Sequence, residues 1–365
     1  MKILLFGEYS KVHLNLVEGL KQLGHHAVVA SDGDDFKNYD KDIDLKKQMV
    51  LYPGKYSDVL KNYKFILTKI RGFDIVQLIN PLFVNDYPHR IKNFVKAIKT
   101  FNDKLFLGCF GDDYFFAQAC KSGLFRYSPL SVPQERQTEQ HFGLIDYFLQ
   151  ENTKNLNVYT VENSNGLIAG LYEYFAAYQN LYSQKLTYIP FPIISPSDIS
   201  PIKINKSEKI KILLGKQKNR IIWKGADIIE SALIELENKY KKHISLKVVE
   251  SIPYKEYINI VNNTHILADQ LYSYSLPMNA LSAMSLGKVV MGGGEEESYN
   301  ILNEPALRPA FNITPDKESI YNVVEQILQD KKILEEKSIE GLKYIEKHHN
   351  HIKVAQQYLD FWNKM

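Results

Sequence analysis

The chain has 365 residues, 45% of them hydrophobic, and a formal charge of +3, which suits two domains with substantial cores and, with cations scattered among acids, argues against nucleic acid as a partner. Its two cysteines, Cys109 and Cys120, cannot build a disulfide framework, and no Cys/His spacing suits structural zinc. The apolar run Ile3–Phe6 is too short for a signal-peptide core or a membrane span, so a cytoplasmic protein is expected.

In chain order, Ile3–Phe6 reads as a strand ending at Gly7, followed by a helix with Val12, Leu16, Leu20 and Leu23 on one face and a stop at Gly24. A second strand, Ala27–Ala30, closes in the turn Ser31-Asp32-Gly33-Asp34-Asp35. Strand, helix and strand in such short order predict a parallel sheet with a right-handed crossover. Further strands are expected at Ile75–Ile79 and Leu105–Phe110, both ending in polar or glycine residues, as strands facing a ligand crevice do. Prolines 190, 192, 196 and 201 then mark a stretch without helical period. A second α/β alternation follows: strand Lys211–Leu214, helix 225–240, strand Leu246–Val249, helix Tyr254–Asn262, strand Ile266–Leu267, helix 279–286 and strand Val289–Met291. Charged helices are expected over 317–345 and 352–362. The resulting division is a first domain over 1–190, a linker over 191–209, a second domain over 210–345 and a terminal helix over 346–365.

The most informative segment is Asp269–Glu297. It reads as a polar loop, a short helix capped by Asn279, a stop at Gly287, a buried strand and a glycine-rich turn carrying Glu295, Glu296 and Glu297. Exposed amides at such a helix start can hold a phosphate, and successive glycines let the backbone approach a ligand; an ordinary loop–helix–strand–turn with an acidic cap is the alternative. A second constellation, Gly215–Asp227, places Lys216, Arg220 and Lys224 between a strand and a helix, where fixed cations can stabilise charge growing on a leaving diphosphate. In the first domain, Gly7, Glu8, Tyr9 and His13 lie on the first strand-to-helix turn, and Gly111, Asp112 and Asp113 on a later one. His13 reads either as a helix-face histidine or as catalytic; Asp112 and Asp113 read either as turn formers or as acids that orient or deprotonate a hydroxyl. Asp32-Gly33-Asp34 has the spacing of a metal-binding pair and equally of a turn, and is taken as a turn. No Walker loop, Gly-x-Ser-x-Gly elbow or Gly-x-Gly-x-x-Gly fingerprint occurs.

The run Ala280-Leu281-Ser282-Ala283-Met284-Ser285-Leu286-Gly287-Lys288-Val289-Val290, followed by Gly293, Gly294 and Glu297, resembles the C-terminal domain of retaining GT-B glycosyltransferases of the family 4 type. The resemblance implies an α/β fold of two Rossmann-like, doubly wound domains facing a central cleft. It implies glycosyl transfer from a nucleotide-sugar, UDP- or GDP-linked, with retention and with no metal or other cofactor. Donor binding then falls on Lys216, Arg220, Lys224, Tyr274, Asn279, Ala280, Leu281, Ser282, Gly293, Gly294, Glu295 and Glu297. Gly7, Glu8, Tyr9 and Asp113 fall on the acceptor side, and Asp112 and His13 are the catalytic candidates. A glycan or lipid-linked acceptor is implied, for polysaccharide biosynthesis at the inner face of the membrane; tyrosine-rich patches such as 172–182 then serve sugar or membrane-surface contact, unless they simply fill a core. The family places two glutamates, with seven residues between them, around the donor's sugar and ribose. Here those positions are Tyr274 and Ser282, and neither supplies the charge-assisted bond of a carboxylate. A non-catalytic homologue that binds a nucleotide-sugar or a partner enzyme is therefore the rival reading.

Overall fold

The structure, a computed structural model, describes residues 1–50, 52, 54–205 and 207–365. The chain forms two compact units, residues 1–122, 145–192 and 351–365 making the first and residues 123–144 and 193–350 the second.

In the first unit, β1 (Lys2–Phe6), β2 (His26–Ser31), β3 (Ile43–Asp44), β4 (Ile75–Leu78), β5 (Lys104–Cys109), β6 (Gly166–Ala169) and β7 (Leu186–Tyr188) form one sheet in the order β3-β2-β1-β4-β5-β6-β7. Every pairing is parallel. Ile3, Leu4 and Leu5 are wholly buried, as unbroken apolar strands covered on both faces must be. From β1 the chain steps outward to β2 and β3, then returns to β4 on the other side, so the carboxyl ends of β1 and β4 form the switch point at which open parallel sheets hold ligands.

The helix Val12–Gln22 buries Val12, Leu16, Val17 and Leu20 toward the sheet. Its Gly19 permits a close helix crossing: a Cβ there would lie 2.3 Å from the carbonyl oxygen of His351 and 2.8 Å from Ala355 Cβ. The partner helix, His351–Lys364, groups with the first unit and buries Tyr358 and Trp362 completely. Trp362 sits 6.1 Å from the Phe106 ring of β5.

The second unit holds β8 (Ile210–Lys216), β9 (Ile244–Glu250), β10 (Ile266–Ala268), β11 (Val289–Gly292) and β12 (Ala310–Asn312), parallel and ordered β12-β11-β10-β8-β9. Its core joins Ile212 and Leu214 of β8, Ile266 of β10 and Met291 of β11 to Ile229 and Leu233 of the helix Ala226–Lys239. Here the switch point lies between β8 and β10, because the chain visits β9 on one side before returning to β10 on the other.

Several expectations need correction. The helix expected over 317–345 is interrupted: Lys317–Gln329 ends at an extended Asp330, whose Oδ1 accepts from the amide of Lys332 at 3.0 Å at the start of Lys332–Tyr344. Asn279 does not cap its helix. The helix Met278–Ser285 starts one residue earlier with Pro277 at the cap, and the Asn279 amide turns instead to Asp269. Four short strands, β3, β6, β7 and β12, add to the expected set, none of them an unbroken run of large apolar residues. In the expected linker 191–209, Lys206 lies outside the described residues. Among the described residues, no helix is long and apolar enough to cross a membrane.

Candidate functional site

The loops at the carboxyl ends of β10 and β11 bring the Asp269–Glu297 segment together. Gly293 packs backbone to backbone on the loop after β10: a Cβ there would lie 2.2 Å from the Ser273 carbonyl oxygen, so no side chain fits. The amide of Glu295 donates to the Tyr274 carbonyl at 2.9 Å, and that of Gly294 to Asn312 Oδ1 at 3.0 Å. Ser273 Oγ donates to the Ser275 carbonyl at 2.8 Å, folding the loop just before Met278–Ser285. Within that helix Ala280 and Leu281 are fully buried, Ser282 is half-buried, and the amide of Leu281 makes its first internal bond, to Pro277. The amides of Met278, Asn279 and Ala280 therefore stand at the helix mouth, outside the intrahelical ladder.

Asp269 begins this loop and was not singled out by the sequence. It is half-buried, and that burial pushes its carboxyl up while Lys224 holds it down. Its Oδ1 accepts from Asn279 Nδ2 at 3.2 Å. Lys224 is tied to the same loop through its carbonyl, which accepts the amide of Leu271 at 2.9 Å. The next residue, Gly225, takes φ 70° and leaves room for Leu271, whose Cβ would lie 3.0 Å from a side chain there. That turn separates Ile221–Lys224 from Ala226–Lys239. Lys216, the last residue of β8, is held by both oxygens of Glu230 at 3.0 and 2.9 Å and lies 3.7 Å from Glu250. Arg220 ends the helical turn Lys218–Arg220. Of the three expected cations, Lys216 thus has its charge already balanced by carboxylates.

A segment that the sequence reading left within the first domain, residues 123–144, belongs to the second unit and lies against these same loops. The Arg126 guanidinium pairs with Glu295 at 2.7 Å and with both oxygens of Glu297. It also stands 4.9 Å from the Tyr274 ring, while its backbone amide donates to the Tyr274 hydroxyl at 2.6 Å. Tyr127 donates to Glu295 at 2.5 Å and its ring lies 4.9 Å from that of Tyr274. The hydrogen bond from Arg126 holds the Glu297 carboxyl below its usual range, and burial, then the bond to Glu295, raises the Tyr127 phenol. Further along, Arg136 grips Asp227 at 2.7 and 3.2 Å and donates to the Tyr272 hydroxyl at 3.2 Å. Glu296, the third acid, is taken by Arg308 at 2.6 and 2.8 Å. The only trace of this arrangement in the sequence is Gly123-Leu124-Phe125-Arg126-Tyr127, an arginine between aromatics after a helix end.

In the first unit the turn after β1 is tightly drawn. Gly7 takes φ 89°, and a Cβ on it would lie 2.2 Å from Ile79; Ser10 and Lys11 are also left-handed, at φ 52° and 70°. Glu8 is buried beneath it, Oε2 accepting the Leu14 amide at 2.8 Å, and burial lifts its carboxyl to about 8. His13 is fully buried. Its Nδ1–H donates to the Gly7 carbonyl at 2.8 Å, which leaves Nε2 to accept from the Gln77 amide at 3.1 Å. Burial lowers its pKa to about 3, so both ring nitrogens serve the turn and the ring stays neutral. Asp34 props the turn from the other side, accepting from the Ser10 amide at 2.7 Å and from Lys37 at 2.6 Å, and its own amide donates to Asp32 at 3.0 Å.

The turn after β5 meets the first one through Tyr9, whose ring would touch a Gly111 Cβ at 3.0 Å. Asp113 is the N-cap of Tyr114–Lys121, accepting from the Phe116 amide at 2.9 Å and from the Tyr178 hydroxyl at 2.5 Å. Burial raises it to about 7. Asp112 is half-buried, with the Tyr174 hydroxyl 3.4 Å away. Tyr178 of the helix Tyr172–Tyr182 is fully buried, so that tyrosine fills a core.

No family model matches the chain, and no curated protein matches it. Solved structures do. Sucrose-phosphate synthase from Thermosynechococcus elongatus aligns at a TM-score of 0.59 and 12% identity, over 100% of this chain and 99% of that one. Anabaena HepE, in complex with UDP and glucose, aligns at 0.59 and 13% over 100% of both chains. WaaG, a glycosyltransferase involved in lipopolysaccharide biosynthesis, aligns at 0.59 and 12% over 99% of both. At these identities the likeness establishes the fold, two Rossmann-like parallel-sheet units as in GT-B glycosyltransferases, and activity has to be argued from the site.

Proposed function

We propose that this protein transfers a sugar from a UDP- or GDP-sugar to a hydroxyl of a glycan or lipid-linked acceptor, with retention at the anomeric carbon and without a metal. The observation that carries the reading is the turn at Gly293 and Gly294. It is pressed onto the Ser273–Tyr274 backbone beside the mouth of Met278–Ser285, at the carboxyl ends of the strands next to the switch point. That is the backbone arrangement the resemblance implies for a donor site, built on the fold shared with HepE, whose complexes contain UDP and UDP-glucose.

In the reaction the bond from the sugar's anomeric carbon to the diphosphate breaks, the diphosphate keeps the electron pair, and the acceptor oxygen bonds to that carbon and gives up its proton to the departing diphosphate. Lys216, Arg220 and Lys224 stabilise the charge growing on the diphosphate. Ser282 and the amides at the helix mouth take donor hydroxyl or phosphate contacts. Gly7, Glu8 and Tyr9 shape the acceptor-side turn. Asp112 orients the acceptor hydroxyl; Asp113 and His13, both committed to hydrogen bonds within the fold, hold that side in place. Work on lipid-linked acceptors would place the protein in the cytoplasm at the inner membrane face, in peripheral contact with it.

A second reading, a nucleotide-sugar-binding homologue without turnover, is favoured by one feature: the acids of the glycine turn are occupied by Arg126 while Tyr274 and Ser282 carry no carboxylate. Calorimetric titration with UDP-, GDP- and ADP-sugars tests what the two readings share. Saturable binding of one nucleotide class is expected, and binding of none sinks both.

A further inference from the structure

We propose that residues 123–144 are an autoinhibitory strap on the second unit, in which Arg126 occupies Glu295 and Glu297 and has to leave before those carboxylates can receive a ligand's hydroxyl groups. The inference rests on the donor-site reading above and adds its regulation.

The acids of the turn are already engaged by the chain itself. Glu295 takes the Tyr127 hydroxyl at 2.5 Å, Arg126 at 2.7 Å and Asn312 Nδ2 at 3.0 Å. Both oxygens of Glu297 receive the Arg126 guanidinium. Tyr274, in the position where the family's first glutamate falls, is covered by the rings of Tyr127 and Phe125, at 4.9 and 5.6 Å, and by the Arg126 cation. A sugar hydroxyl approaching these acids has to compete with Arg126 for them.

The two ends of the strap are held differently, which makes partial release reasonable. Around Arg136 the contacts are inward: the paired grip on Asp227, the Tyr272 hydroxyl, and His141 buried 5.5 Å from the Trp223 ring. Around Arg126 the rings of Phe125 and Tyr127 pack on Tyr274, and only the guanidinium is open to water. The Arg126 side chain is 54% exposed, and ion pairs this open to water are weak and exchange readily. Gly123, at φ 75°, begins the strap and can swing more freely than any residue with a Cβ. The Arg126 guanidinium is therefore the part that lifts, with the Arg136 end remaining seated.

The test compares wild type with Arg126→Ala and Tyr127→Phe by calorimetry against UDP-glucose, GDP-mannose and ADP-glucose, with melting temperature as the folding check. Whichever probe binds should bind Arg126→Ala about three- to tenfold more tightly than wild type, and Tyr127→Phe by a smaller factor. In parallel, trypsin should cut wild type after Arg126 faster when the probe is saturating, because the guanidinium has lifted; this arm needs no variant to fold. Equal or weaker binding by Arg126→Ala, or protection from trypsin by the probe, overturns the strap and leaves the donor-site reading standing. Binding of no probe by any of the three proteins overturns that reading, and the strap with it.

Discussion

Replacing Glu8 with glutamine removes a carboxyl that the first unit keeps in a dry environment, and the effect should be visible as a change in how stability depends on pH. Burial lifts this carboxyl from 4.5 to about 8, with Asp34 adding to the rise and the Leu14 amide and Lys37 opposing it. The folded state therefore holds a proton that the unfolded chain has lost, and stability present below about pH 4.5 drains away as pH rises toward 8. At roughly 1.4 kcal/mol for each tenfold step, the whole span amounts to about 5 kcal/mol, an upper bound because local relaxation will reduce it. Glutamine keeps the acceptor for the Leu14 amide, seen at 2.8 Å, but cannot ionise. The assay is urea denaturation at pH values from 5 to 9 in a Trp223→Phe background, so that fluorescence reports Trp362, the buried tryptophan of the first unit. Wild type should lose several kcal/mol across that range relative to Glu8→Gln. Parallel profiles for the two proteins would refute the reasoning.

Gly293→Ala places a Cβ 2.2 Å from the Ser273 carbonyl; overpacking of this kind costs about 1–3 kcal/mol, readable as a lower melting temperature of the second unit, together with lost nucleotide-sugar binding. Gly19→Leu forces the helices Val12–Gln22 and His351–Lys364 apart, and a destabilisation of about 1–3 kcal/mol is expected in denaturant melts, with nucleotide affinity unchanged. Lys224→Ala should reduce nucleotide release from a bound sugar donor by roughly a hundredfold; steady-state kinetics that show unchanged turnover would remove the assignment.

Much of the architecture is legible in the residues because a parallel sheet buried on both faces writes itself as apolar runs. Ile3–Phe6, the helix face of Val12, Leu16 and Leu20, and the restart at Ile210 are all of this kind. Short strands without an unbroken apolar run are not: in β6, Gly166 is present because the Phe361 ring lies where its Cβ would be, at 2.7 Å, a constraint from far along the chain. The interruption at Asp330 and the start of the helix at Met278 are local cap geometry: the Asp330 carboxylate accepts the Lys332 amide, and Pro277 stands at the other cap with no side-chain bond. At the site, the glycine turn and the cation loop were visible as residue types in order, because each is local. The occupation of its acids was not. Arg126 and Glu297 are 171 positions apart, and nothing local in Phe125-Arg126-Tyr127 indicates which carboxylates it will meet.

The central claim is sugar transfer from a nucleotide donor. It is tested most directly by incubating the full chain with UDP-, GDP- and ADP-sugars, with and without an added glycan or lipid-linked acceptor, and measuring released nucleoside diphosphate alongside glycosylated product. The account predicts release from one nucleotide class, increased by acceptor, matched by product and largely lost in Lys224→Ala. Tight binding with no release from any donor, in wild type and in Arg126→Ala alike, would contradict it.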